Sequence, residues 1–179
     1  MAIEPSIYPL KGRVQHYAWG GFDYIPQLLQ RPNEEQKTFA EYWLGAHPAH
    51  SSTVLVADVP IALDLFIHQY PAAVLGEKVA KEFRTLPYLL KVLDVRQMLS
   101  IQVHPNKESA VLCYENENRQ GVSLSAPHRN YKDANHKPEL MVALGDFWLL
   151  HGFKPAEKLI QILEAVPEFT SLIPIFEKE

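Results

Sequence analysis

The sequence contains very little cysteine: Cys113 is the only one among its 179 residues. A single thiol cannot form a disulfide within the chain, so the fold does not require an oxidising compartment. No apolar run reaches the roughly eighteen residues that a membrane-spanning helix needs. The opening MAIEPSIYPL lacks the basic and apolar regions of a signal peptide. These absences predict a cytoplasmic protein with no membrane span.

An excess of positive charge is also missing, because 17 Lys and Arg face 21 Asp and Glu for a net charge of −4. Nucleic-acid binding usually requires a basic surface, so that class of partner is not expected. A small phosphorylated ligand remains compatible, since one local cluster of cations is sufficient to bind it. The composition, 47% apolar and 21% charged, is typical of a globular protein.

Short apolar stretches dominate the chain up to about residue 153, with its 14 prolines scattered between them. Alternation and turn residues predict strands over 40–45, 52–57, 88–94, 98–104, 139–144 and 147–153. Helices are predicted over 61–68, 76–84 and 107–116, the last with Asn106 as its N-cap. Many short strands and few long helices favour a mainly β fold, a small barrel or sandwich. Helical spacing from 155 onward predicts a first domain over 1–153 and the beginning of a helical domain over 154–179.

The predicted strand 98–104 carries the first candidate site residues. Side chains alternate across a strand, so Ser100, Gln102 and His104 would share the face opposite an aliphatic one. A neutral imidazole is a good zinc ligand, and an amide oxygen is a less common one. The same pattern also suits an ordinary polar strand face, and Gln-x-His alone does not separate the two interpretations.

A second candidate lies in the segment Asn135-His136-Lys137-Pro138-Glu139. Pro138 favours an extended Lys137, which would place Lys137 and Glu139 on one face. The carboxylate is then a possible ligand or base, and the ammonium a possible phosphate or oxyanion binder. A surface salt bridge at the start of a strand is the alternative.

Several longer segments resemble the type I mannose-6-phosphate isomerase family. The two most distinctive are Leu99-Ser100-Ile101-Gln102-Val103-His104-Pro105-Asn106-Lys107 and Asn130-Tyr131-Lys132-Asp133-Ala134-Asn135-His136-Lys137-Pro138-Glu139. Three others are Tyr17-Ala18-Trp19-Gly20, Ala40-Glu41-Tyr42-Trp43-Leu44-Gly45-Ala46-His47-Pro48 and Leu86-Pro87-Tyr88-Leu89-Leu90-Lys91-Val92-Leu93. They occur in order along essentially the whole chain.

The resemblance implies a cupin-like jelly-roll β-sandwich with an inserted helical domain, a single zinc ion and a sugar-phosphate substrate. Gln102, His104 and Glu139 match three of the four zinc ligands of the family. The fourth, a histidine, and an active-site arginine belong to segments beyond this chain, which we therefore expect to be truncated relative to the family. Pocket-lining and acid/base positions match as follows: Lys137 and His136 as catalytic candidates, and Ser100, Lys137, Trp19 and Glu41 as substrate-binding candidates.

The implied reaction interconverts mannose 6-phosphate and fructose 6-phosphate through an enediol. A truncated, non-catalytic cupin-like module that holds metal or sugar would retain the same three ligands. A metal-dependent oxygenase is a third possibility, because cupin sites host many chemistries. Metal analysis combined with an isomerase assay would separate the three.

Overall fold

A computed structural model describes residues 6–99, 102–150 and 152–176. The chain divides into two compact units, Met1–Leu99 and Ser100–Glu179. We call them the N-terminal and C-terminal units and describe each by itself. The domain boundary between residues 153 and 154 remains a prediction from the sequence.

The N-terminal unit contains two small antiparallel sheets of three strands each. The strands are β1 (Leu10–Lys11), β2 (Arg13–Gln15), β3 (Glu41–Leu44), β4 (Thr53–Val56), β5 (Val59–Ala62) and β6 (Leu90–Leu93). One sheet has the order β1-β4-β5 and the other has the order β2-β3-β6. The strands predicted over 40–45, 52–57 and 88–94 are therefore confirmed.

Short helices connect these strands and complete the core of the N-terminal unit. They are α1 (Tyr24–Leu28), α2 (Leu63–Gln69), α3 (Pro71–Leu75) and α4 (Glu77–Phe83). The helix predicted over 61–68 begins later than expected, because its first residues pair with β4 as the end of β5. Ile25, Val54, Phe66 and Ile67 are almost fully buried and form the centre of the core.

An aromatic turn, Tyr17-Ala18-Trp19-Gly20, follows β2. The amide of Gly20 donates to the carbonyl of Tyr17 at 3.0 Å, and the carbonyl of Trp19 accepts from the amide of Arg96. A β-carbon on Gly20 would lie 2.6 Å from the α-carbon of Ala40, so this approach of two backbones requires glycine. The turn fixes the position of Trp19, one of the candidate site residues.

The regular secondary structure described in the C-terminal unit is helical. It contains α5 (Lys107–Arg119), α6 (Ala156–Ala165), a 3₁₀ helix (Pro167–Leu172) and α7 (Ile173–Phe176). The predicted N-cap is confirmed, because the Asn106 side-chain oxygen accepts from the Ser109 amide at 2.8 Å. The helical spacing seen after residue 155 corresponds to α6.

The strand predictions over 98–104, 139–144 and 147–153 are wrong for the residues that the structure describes. Residues 98–99, 102–104, 139–150 and 152–153 belong to no strand. A strand needs a hydrogen-bonded neighbour, and the sequence alternation that predicted these strands does not supply one. Apolar side chains here are left exposed, with Leu140 at 93% and Trp148 at 89%. Ser100, Ile101 and His151 lie outside the described residues.

No helix in the described ranges is both long and apolar enough to cross a bilayer.

Candidate functional site

His104 and Glu139, two of the three predicted metal ligands, lie in contact although they are 35 positions apart in the sequence. The His104 Nε2 and Glu139 Oε2 atoms are 3.0 Å apart, with side chains 28% and 53% exposed. His104 stands two residues before the Asn106 cap of α5, and Pro105 directly after it favours an extended backbone at His104. The structure therefore brings together a nitrogen and an oxygen donor at a solvent-accessible point.

The donor pair suits a zinc ion in both chemistry and spacing. Two ligand atoms bonded to one tetrahedral zinc at the usual distances lie about 3.3 Å from each other. The observed 3.0 Å needs only a small adjustment to reach that separation. No group of three His, Cys, Asp or Glu side chains that could hold a metal occurs within the described ranges. Gln102, the third predicted ligand, is exposed, and its side-chain amide falls outside those four residue types.

The predicted catalytic pair occupies the irregular segment that precedes Glu139. His136 and Lys137 are both exposed there. The Asn135 amide donates to the Asp133 carboxylate at 2.8 Å, which forms a local turn just before them. An imidazole and an ammonium therefore precede the Glu139 ligand candidate by three and two residues. Ser100, a predicted substrate-binding residue, lies outside the described residues.

The N-terminal unit contains a separate buried cluster around Glu41. One oxygen of its carboxylate accepts from the Trp43 indole N–H at 2.6 Å. The other lies 3.7 Å from the Lys91 ammonium, and the two side chains are only 10% and 23% exposed. Lys91 also stands 4.9 Å from the centre of the Trp43 ring, a cation–π contact. Glu41 is thus held by two partners at once.

The strand register explains why these side chains meet. Gln15 lies opposite Glu41 across the β2–β3 pair, and Trp43 lies opposite Lys91 across the β3–β6 pair. Directly opposed residues point to the same face, so all four share one face of the sheet. Gln15 is buried, and its side-chain nitrogen has no hydrogen-bond partner among the described residues. This face therefore offers a buried donor beside a carboxylate and an ammonium.

Trp19 and Tyr17 form a stacked aromatic pair, with ring centres 5.6 Å apart. Burial raises the pKa of the Tyr17 hydroxyl, and the negative charge of Glu41 raises it further. Two candidate residues, Trp19 and Glu41, are thus linked through Tyr17.

Sequence reasoning missed Lys91 as a candidate, although a signal was present. Lys91 interrupts the apolar run of β6, Leu-Lys-Val-Leu. A lysine in a half-buried strand needs a partner, because an unpaired buried ammonium is costly. The identity of that partner, Glu41, depends on strand register and could not be derived from local sequence.

Comparison with known proteins identifies one family. Residues 7–156 match the family model of the catalytic domain of type I phosphomannose isomerase. Mannose-6-phosphate isomerase of Salmonella typhimurium is 42% identical over 164 residues, covering 91% of this chain and 42% of that protein. The human mannose-6-phosphate isomerase is 39% identical over 179 aligned residues, covering 94% of this chain and 40% of that protein.

Solved structures of this family are similar in fold. A crystal structure of the Salmonella typhimurium isomerase bound to its substrate, fructose 6-phosphate, and zinc superposes with a TM-score of 0.66 at 43% identity. That match covers 73% of this chain and 33% of the solved one. The chain therefore spans about two-fifths of the length of the curated relatives it matches.

Proposed function

Because the chain belongs to the type I phosphomannose isomerase family, we propose that it supplies metal-binding and substrate-binding residues of a mannose-6-phosphate isomerase. The reaction is the interconversion of mannose 6-phosphate and fructose 6-phosphate. The observation that carries this proposal is the 3.0 Å contact between His104 and Glu139. A nitrogen donor and a carboxylate from distant segments meet where the resemblance places two zinc ligands.

In this proposal His104, Glu139 and Gln102 hold one zinc ion. When bound, the metal would act as a Lewis acid that stabilises negative charge on the oxygens of the first two sugar carbons. An imidazole and a carboxylate suit zinc, and an amide oxygen is an acceptable additional ligand. The family resemblance implies a histidine as the fourth zinc ligand.

The proton transfer falls to the exposed groups just before Glu139. Isomerisation requires a proton to leave one carbon and return to its neighbour through an enediol. A side chain with a suitable pKa within hydrogen-bond reach can carry that proton. His136 and Lys137 are the two candidates in this segment, and Glu139 acts as a metal ligand.

Substrate binding is assigned to Ser100, Lys137, Trp19 and Glu41 from the family resemblance. The Glu41 network adds Lys91, a cation held between a carboxylate and an indole ring. Such a fixed ammonium suits an anionic sugar phosphate. A cupin-like sandwich and a cytoplasmic location complete the proposal, supported by the family and by the single cysteine.

A chimera tests the function without depending on the length of this chain. This sequence would replace the matching segment of the Salmonella isomerase, and turnover of mannose 6-phosphate would be measured in a coupled assay. We expect an active, zinc-containing enzyme. In the chimera, Lys137→Ala should lower turnover by about a hundredfold or more with zinc retained, as expected for loss of an acid/base group. Glu139→Ala should lower both zinc content and turnover.

The matched control is Lys107→Ala, which removes another exposed lysine of the same unit. It should leave turnover and zinc content unchanged. A folded chimera that holds zinc but does not isomerise the sugar would favour the non-catalytic binding module instead. Equal zinc loss in the Lys137 and Glu139 variants would show that their roles are wrongly assigned.

A further inference from the structure

Arg129 is a buried charge in the polar loop that leads to the candidate site. Arg129 is only 4% exposed, which is unusual for an arginine. The guanidinium donates to the carbonyls of Tyr131 and Val122 at 2.6 and 2.5 Å and to the Asn118 side chain at 2.8 Å. It therefore joins Asn118, near the end of α5, to Val122 and Tyr131 of the loop.

Glu117 on α5 completes the arrangement from the helix side. Its carboxylate accepts from the amides of Asn130 and Tyr131 at 3.1 and 2.8 Å and lies 3.1 Å from Arg129 Nε. These hydrogen bonds, with the Arg129 charge, hold the pKa of Glu117 below its ordinary value. We call this pair, Glu117 with Arg129, the clasp.

Two further contacts fix the same loop on the helix. Arg129 lies over the Tyr114 ring at 5.1 Å. A hydrogen bond with Cys113 of α5 raises the pKa of the Tyr131 hydroxyl. Backbone and side chains of residues 129–131 are thus attached to the second half of the helix.

A short segment of the chain, eight residues long, joins the clasp to the candidate site. From Lys107 to Glu117 the helix rises roughly 15 Å, at about 1.5 Å per residue. His104 stands at the opposite end of α5 from the clasp, just before the Asn106 cap. The segment from Tyr131 to Glu139 must therefore return along the helix, and its eight steps reach at most about 28 Å.

We propose that Glu117 and Arg129 are positioning residues that hold the Tyr131–Glu139 segment so that Glu139 meets His104. The inference rests on the proposed function, in which that pair binds zinc. When the clasp is released, the segment gains the freedom of a loop anchored only at its far end. A smaller fraction of molecules then has Glu139 beside His104, and the apparent metal affinity falls in proportion.

The first test requires no metal. In the isotope-labelled 179-residue chain, nuclear Overhauser contacts between the His104 ring and the Glu139 methylenes report the pair directly. We expect them in the unmodified chain and expect their loss in Arg129→Ala and in Glu117→Ala. The control, Arg119→Ala, removes an exposed arginine of the same helix and should keep them. Glu117→Ala leaves the buried Arg129 side chain in place, so this variant keeps the test valid if Arg129→Ala does not fold.

The second test measures zinc affinity of the same proteins by competition with a chromophoric chelator. Release of the clasp should raise the zinc dissociation constant about tenfold, if about one molecule in ten keeps the pair aligned. A purely structural role would lower the melting temperature but leave the contacts and the dissociation constant of the folded protein unchanged. That result in folded Glu117→Ala would overturn the inference.

The two tests separate failure of the inference from failure of the proposed function. Contacts that depend on the clasp, in a chain that binds no zinc, would support positioning and contradict the metal role of His104 and Glu139. Zinc binding that is lost in His104→Ala but unchanged in Glu117→Ala would support the metal role of His104. It would contradict the positioning role of the clasp.

Discussion

Substitution of Glu41 tests whether the cluster in the N-terminal unit is built as the structure indicates. Glu41→Ala removes the acceptor of the Trp43 indole and the partner of Lys91, both of which are largely buried. An unsatisfied buried donor costs about 1–3 kcal/mol. A half-buried ammonium that loses its carboxylate adds about 1 kcal/mol, so we expect a loss near 3 kcal/mol in the free energy of unfolding.

Glu41→Gln is the matched variant that separates the two contributions. The amide oxygen still accepts from the Trp43 indole, and only the charge opposite Lys91 is lost. The 3.7 Å separation of that ion pair is longer than a hydrogen bond. We therefore expect a loss of only about 1 kcal/mol for Glu41→Gln.

Urea unfolding followed by tryptophan fluorescence measures both variants against the unmodified chain. The midpoints should fall in the order unmodified, Gln, Ala, with similar slopes. If Gln destabilised as much as Ala, the indole hydrogen bond would contribute nothing and the ion pair would be the main interaction. If neither variant changed the midpoint, the burial of this cluster would be refuted.

Three further predictions concern capping, pH and backbone approach. Asn106→Ala should cost about 1 kcal/mol in urea unfolding, because the Ser109 amide loses its acceptor. Since the folded-state pKa of Glu117 is lowered, its stabilisation should be complete above its ordinary pKa of about 4.5 and disappear as pH falls through the folded value. Urea midpoints of the unmodified chain should therefore fall more between about pH 6 and pH 3 than those of Glu117→Gln. Gly20→Ala should cost about 1–3 kcal/mol, because the new methyl meets the Ala40 backbone, and an unchanged thermal midpoint would contradict this.

Local signals predicted much of the regular structure. The Asn106 cap, the strands around Glu41 and Val92, and the helix that begins at Ala156 follow from residue types and spacing over a few positions. Each depends on propensity and patterning that neighbouring residues already contain.

The incorrect strand predictions show where such signals stop. Residues 139–150 alternate or run apolar, yet the chain forms no strand there. Alternation indicates that a segment has two different faces, whereas strand pairing depends on a neighbour that is often far away in sequence. Leu140 and Trp148 consequently remain exposed.

Sequence and resemblance selected two residues of the candidate site that lie in contact, but they did not identify the buried residues Lys91 and Arg129. His104 and Glu139 were chosen by side-chain chemistry and family resemblance, and the structure places them in contact. Lys91 and Arg129 were missed because their partners are distant or belong to a loop. Arg129 in particular stands in a polar stretch that resembles a solvated surface, and only its bonds to Asn118, Val122 and Tyr131 show that it is buried.

Zinc binding by the purified chain tests the central claim most directly. Metal content and affinity would be measured for the unmodified protein, His104→Ala, Glu139→Ala and the control His128→Ala, which removes an exposed histidine of the same unit. We predict one zinc per chain, retained in the His128 variant and lost or strongly weakened in the other two. An unmodified chain that binds no zinc, or equal binding in His104→Ala and His128→Ala, would contradict the assignment of this pair as metal ligands.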